Sequence, residues 1–145
     1  MPVVEKSALV EYTPSRMFAL VDRVEDYPEF LPWCAGAEIH RRTDLETVAT
    51  VHINYYGIRF HFSTENAKQP VSMMNVKLRD GPLKRMEGGW RFIPLGENGC
   101  KVEFRLDYEF SSALLGKTLG PVFNRIAATV VDSFIKRARQ THGTA

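Results

Sequence analysis

The apolar residues of this chain keep two different periods, and the change between them comes once. From Thr47 to Phe110 they recur at every second position, segment after segment. From Leu115 to Ala138 they recur at spacings of three and four. The first period sends side chains alternately to two faces of a strand, and the second gathers them on one stripe of a helix. The chain thus holds many half-buried strands and one long helix to cover them. That imbalance, more than any motif, limits the folds open to it.

The alternation is specific. Val51, Ile53 and Tyr55 face away from Thr50, His52 and Asn54, and Tyr56-Gly57 suits a tight connection. Ile58, Phe60, Phe62 and Thr64 alternate with Arg59, His61 and Ser63. Met74, Val76 and Leu78 alternate with Asn75, Lys77 and Arg79, before a turn at Asp80-Gly81-Pro82. Met86, Gly88, Trp90 and Phe92 share a face. Beyond the Gly96–Gly99 hairpin, Val102, Phe104, Leu106, Tyr108 and Phe110 interleave with five charged residues without a fault. One greasy and one solvated face is the pattern of an antiparallel sheet covered on one side.

Before the sheet, Val3 to Tyr12 reads as a strand. Thr13-Pro14 starts a short helix with Met17, Phe18, Leu20 and Val21 on its apolar face, ending near Val24. In Tyr27-Pro28-Glu29-Phe30-Leu31-Pro32-Trp33-Cys34, two prolines forbid a long regular element, yet the segment carries several large apolar side chains. After Ser111-Ser112, an N-cap, the stripe Leu115, Leu119, Val122, Phe123, Ile126, Val130, Phe134 and Ala138 defines the last helix. Gly120-Pro121 should kink it or split off its first turns, leaving about 20 residues, roughly 30 Å.

The order is α+β, with a curved antiparallel sheet of six to seven strands around the C-terminal helix. A helix is about 10 Å across, whereas six strands at about 4.8 Å spacing span more than about 20 Å. One helix cannot fill that concavity. The rest is closed by the short helix and the Tyr27–Trp33 segment, or by a ligand. Gly88-Gly89 inside a strand implies strong bending or close approach of another group.

At 145 residues the chain fits a single domain, 1–145, and a hydrophobic share of 44% supplies its core. A net charge of +2 implies neither nucleic acid nor an anionic membrane. Cys34 and Cys100 form no ligand or redox motif, Met1 to Lys6 lacks the pattern of a secretory signal, and no apolar run approaches a membrane span. A cytoplasmic protein with reduced thiols is expected. GxGxxG and Walker patterns are absent, which removes the usual nucleotide signatures. His40, His52, His61 and His142 lack ligand spacing, so no metal is expected, nor a cofactor or DNA partner.

The proline-rich octet from Tyr27 to Cys34, the Asp80-Gly81-Pro82-Leu83-Lys84 turn, Gly89-Trp90-Arg91-Phe92 and the closing Phe134-Ile135-Lys136-Arg137-Ala138 carry a resemblance. Over Val3 to Gly143 the chain resembles the START-type, polyketide-cyclase-like superfamily with the helix-grip fold. Within it, the chain resembles the branch of coenzyme-Q-binding proteins and ribosome association toxins. Leu83 stands where members usually have Phe, and keeps the position apolar. The resemblance implies one of two roles. The first is binding of ubiquinone or another polyisoprenoid in support of respiration, with peripheral contact at the inner membrane. The second is binding of the large ribosomal subunit to block subunit association.

The cavity argument favours the lipid role, without catalysis. Candidate ligand-binding residues are Phe30, Leu31 and Trp33 on the stiffened segment, Met74, Trp90 and Phe104 on the inward stripes, and Phe123, Ile126 and Val130 on the helix. Trp90 serves equally as a ligand wall, with the side chain missing at Gly88 leaving room, or as a plain core tryptophan. The helical three read first as core. A cyclase or dehydrase would need acid and base groups inside, and the legible inward stripes are almost wholly apolar. Lys136, Arg137 and Arg139 could meet anionic lipid or ribosomal RNA, or form a solvated helix end.

Overall fold

The computed structural model describes residues 3–142. Met1, Pro2 and Gly143, on which the sequence expectations drew, lie outside the described residues, as does the side chain of His142. Strand β1 (Val3–Val10) leads into α1 (Pro14–Asp22), a 3-10 turn (Val24–Asp26) and a single helical turn, α2 (Tyr27–Phe30). Then comes a meander of β2 (Cys34–Arg42), β3 (Glu46–Tyr55), β4 (Ile58–Gln69), β5 (Met73–Asp80), β6 (Leu83–Leu95) and β7 (Gly99–Phe110). Helix α3 (Ala113–His142) ends the chain.

All seven strands form one antiparallel sheet in the order β1-β7-β6-β5-β4-β3-β2. The α1–α2 segment therefore carries the chain from one sheet edge to the other. This is the α+β architecture that the change of period implied, in the START-like, helix-grip form that the resemblance implied. Tyr56 and Gly57 have φ of +50° and +86° between the paired Tyr55 and Ile58. Positive φ at both central residues is the two-residue hairpin turn whose twist matches that of the strands. On the edge strand β2, register slips between Cys34 and Gly36 and between Ile39 and Arg41.

Local chemistry sets the helix ends. Thr13 Oγ1 accepts from Arg16 N–H at 3.3 Å, with Pro14 opening α1. The helix stops at Asp22 rather than near Val24, because Arg23 leaves helical geometry at φ −85°, ψ 68°. The octet is not all irregular. Pro28 sits in the first turn of α2, where its missing donor costs nothing, and Pro32 forces Leu31 out of helical backbone at φ −99°, ψ 108°. Ser112 Oγ accepts from Leu115 N–H at 3.1 Å to start α3.

Helix α3 is continuous for 30 residues through Pro121, so its first turns are not split off there. The residue before a proline is normally driven from helical backbone by its own Cβ. Gly120 has none, so that clash is missing.

Gly88 and Gly89 show close approach. A Cβ on Gly88 would stand 2.0 Å from the carbonyl oxygen of Arg105, and one on Gly89, at φ +156°, 2.2 Å from that of Met74. Neighbouring backbone therefore fills the place of the missing side chains. The expectation that Gly88 leaves room for a ligand beside Trp90 is corrected: Arg105 occupies that room.

The core has two parts. One joins β1, α1, β5 to β7 and α3 through residues such as Met17, Trp90, Phe92, Val102, Tyr108 and Phe134. The other joins the α2–β2 segment to β3 and α3 through Val24, Leu31, Trp33, Val51, Ile53 and Ile126.

Candidate functional site

A hollow of about 120 Å³ lies between the sheet and α3, at the seam of the two core parts. The apolar stripe of α3 explains its position. Phe123 and Phe134 are bulky, but between them stand Ile126, Ala127 and Val130, and the methyl of Ala127 reaches least far. Each phenylalanine is an aromatic hub. Phe134 packs edge-on against Trp90 at 5.2 Å, Phe30 at 5.2 Å and Tyr27 at 5.4 Å. Phe123 meets Tyr108 at 4.7 Å and Phe62 at 5.7 Å. The two hubs prop helix and sheet apart, and the gap remains where the stripe is thin.

Of the residues the sequence nominated, Leu31, Trp33, Trp90, Phe104, Phe123, Ile126 and Val130 line this hollow. Phe30 and Met74 do not. Phe30 packs behind it, against Phe134 and under the Arg137 guanidinium, which lies 5.0 Å from its ring centre. Met74 pairs across the sheet with Trp90, fully buried. Arg137 is half-buried and bridges to Glu29 at 3.5 Å, so it clasps α2 to α3 instead of joining a free basic patch.

The sequence reading reached only Thr64 of the polar floor. Strand β4 runs on past Thr64, and its inner stripe continues through Asn66 and Lys68, all three buried. The inner face is therefore not almost wholly apolar, as the legible stripes suggested. Thr64 and Asn66 line the hollow. Behind them, Lys68 Nζ donates to Asp22 Oδ1 at 3.1 Å and Oδ2 at 3.4 Å, and Thr47 Oγ1 donates to the same carboxylate at 3.3 Å. The only signal in the sequence was the spacing of Thr64, Asn66 and Lys68. Their neighbours Glu65, Ala67 and Gln69 give little hydropathic contrast.

Two residues of the lining each hold a buried polar atom with no hydrogen-bond partner: the indole Nε1 of Trp33 and Oδ1 of Asn66. Their residues are only 9% and 6% exposed. Such orphans are rare in native interiors because each forfeits its hydration without recompense.

Among the described residues Tyr27 is the only titratable side chain of the lining. Its hydroxyl donates to the carbonyl oxygen of Val21, and burial pushes its ionisation far above the usual range. Burial likewise pushes the Cys34 thiol up, while Cys100 is raised to about 11; both are free and buried. His40 meets Thr50 Oγ1 at 2.7 Å, and His52 meets Glu38 at 2.6 Å. Among the described residues no three His, Cys, Asp or Glu side chains gather as a metal site requires.

The family described as polyketide cyclase / dehydrase and lipid transport matches residues 10–135. The ribosome association toxin RatA of Vibrio cholerae serotype O1 is 41% identical to the chain over 143 residues, covering 99% of each. The mitochondrial coenzyme Q-binding protein of Schizosaccharomyces pombe is 24% identical, over 94% of this chain and 86% of its own. Among solved structures, an aromatase/cyclase from Streptomyces sp. R1128 superposes with a TM-score of 0.83 over 99% of both chains. At 16% identity that likeness is one of fold alone.

Proposed function

The chain belongs to the polyketide cyclase / dehydrase and lipid transport family, and from that membership we propose that it binds an apolar small molecule with a ring-sized head, ubiquinone or a related polyisoprenoid, and supports respiratory electron transport. The observation that carries this reading is the apolar hollow under α3 with its short polar floor at Thr64 and Asn66. An apolar cavity of about 150 Å³ takes up benzene, so a hollow of about 120 Å³ suits one ring. The tail would lie along Phe60, Phe62, Val76 and Leu78, which are only partly buried in the core. Apolar burial at about 25 cal/mol per Å² drives association.

Binding is favoured over catalysis because among the described residues the lining offers no free acid or base: Tyr27 is hydrogen-bonded, and Lys68 behind it is held by Asp22. No helix among the described residues is long and apolar enough to cross a membrane, and the proposed contact with the inner membrane is peripheral. Lipid extraction from protein purified from its own host, followed by titration with ubiquinone, tests the reading. Recovery of quinone supports it; a hollow that retains no lipid and takes up no quinone overturns it.

A second reading, action on the ribosome, is favoured by the 41% identity to a ribosome association toxin. Lys117, Arg125, Lys136 and Arg139 stand exposed along α3 and supply the cations such contact needs. This reading requires affinity for the large ribosomal subunit that falls steeply with salt. Reversing Lys136 and Arg139 must weaken it more than Trp90→Ala does.

A further inference from the structure

We infer that the hollow selects a ring bearing a hydroxyl, so that of a quinone and its reduced quinol it holds the quinol more tightly. The inference rests on the quinone-binding reading above and deepens it. Trp33 Nε1 is a donor only, whereas Asn66 Oδ1 is an acceptor only. Both atoms are buried, both belong to residues that line the hollow, and neither has a partner.

The protein does not supply Asn66 from its nearest donors. Thr47 lies opposite Asn66 across the sheet and Lys68 lies two residues on, but both donate to Asp22. A quinone carbonyl only accepts, so it can serve the indole while Asn66 Oδ1 stays bare. A quinol hydroxyl both donates and accepts, and can complete either atom. The partner called for is a phenol-like group on a ring that fits the hollow.

Decylubiquinone and its dithionite-reduced quinol, titrated anaerobically by calorimetry against the full chain, test this. The quinol should bind about tenfold more tightly, the ratio appropriate to one buried acceptor gaining its donor. Asn66→Leu should bring the two affinities within about twofold of each other, mainly by weakening the quinol. Trp33→Phe should weaken both forms alike and keep the ratio, since each form offers an oxygen to the indole.

Equal affinities in the native protein, or a ratio that survives Asn66→Leu, overturn the inference and leave quinone binding standing. Should Asn66→Leu fail to fold, the native ratio alone decides. Binding of neither form overturns both.

Discussion

Beneath β1, β7 and β6 the sheet is covered by α1 and α3, whereas beneath β2 and β3 the α2 turn and a few extended residues contribute much of the cover. The helix-covered side is continuous: Met17, Trp90, Phe92, Val102, Tyr108 and Phe134 interlock at well under a tenth of their surface exposed. The other side depends on single large side chains, Leu31 and Trp33, set on either side of Pro32. A helix offers ridges at regular intervals that mesh with those of a neighbour. A stiffened stretch of chain offers isolated knobs, and knobs leave gaps. The hollow lies along the line where the two kinds of cover meet.

The sharpest way to break this contrast is at the hub that ties both sides. Phe134→Ala removes the ring shared by Trp90 from one side and Tyr27 and Phe30 from the other. It should cost about 3–5 kcal/mol in urea unfolding. Next is the polar anchor at the end of α1. Asp22→Ala leaves the Lys68 ammonium buried without its counter-charge, and a loss of about 3 kcal/mol is expected. Adding Lys68→Met should restore most of that loss, and a double variant no better than the single one would show that the pair does not act as a unit.

Filling the seam sharpens the comparison without unfolding the protein. Ala127→Leu projects into the hollow, so stability should stay within about 1 kcal/mol while uptake of decylubiquinone falls at least about tenfold. Unchanged uptake would place the ligand elsewhere.

The smallest effect concerns pH. Arg42 hydrogen-bonds both oxygens of Glu25, at 2.6 and 2.7 Å, and holds its carboxyl down to about 2 from the ordinary 4.5. A depressed carboxylate stabilises the fold fully above its unfolded value. That contribution therefore disappears as pH falls from about 4.5 to about 2. Both side chains are about a third exposed, so solvent screening keeps the loss below about 1 kcal/mol. Glu25→Gln should flatten acid unfolding in that window.

What the residues disclosed in advance follows the same division. The faultless alternation of β7 and the stripe of α3 were legible because apolar and polar residues contrast at a fixed period. The Thr13-Pro14 start was legible because a cap and a pre-set φ are local. The inner stripe of β4 was legible only as far as Thr64, since Asn66 and Lys68 alternate with residues of similar polarity and only their partners reveal which side is buried. Passage of α3 through Pro121 depends on Gly120 in front of it, a pair otherwise read as a break. The position of the hollow was hidden as well. It turns on Ala127 falling between two phenylalanine hubs, and nothing in its period singles that residue out.

The register slips of β2 have a consequence for life in a crowded solution. An open sheet ends in two strands whose outer amides and carbonyls invite a further strand, and a flat edge is the usual seed of polymerisation. On β2 the ladder is displaced twice within nine residues, and Arg41 and Arg42 stand exposed at its far end. An incoming strand would have to reproduce both displacements beside those cations, so this edge discourages fibril-like stacking of one copy upon the next.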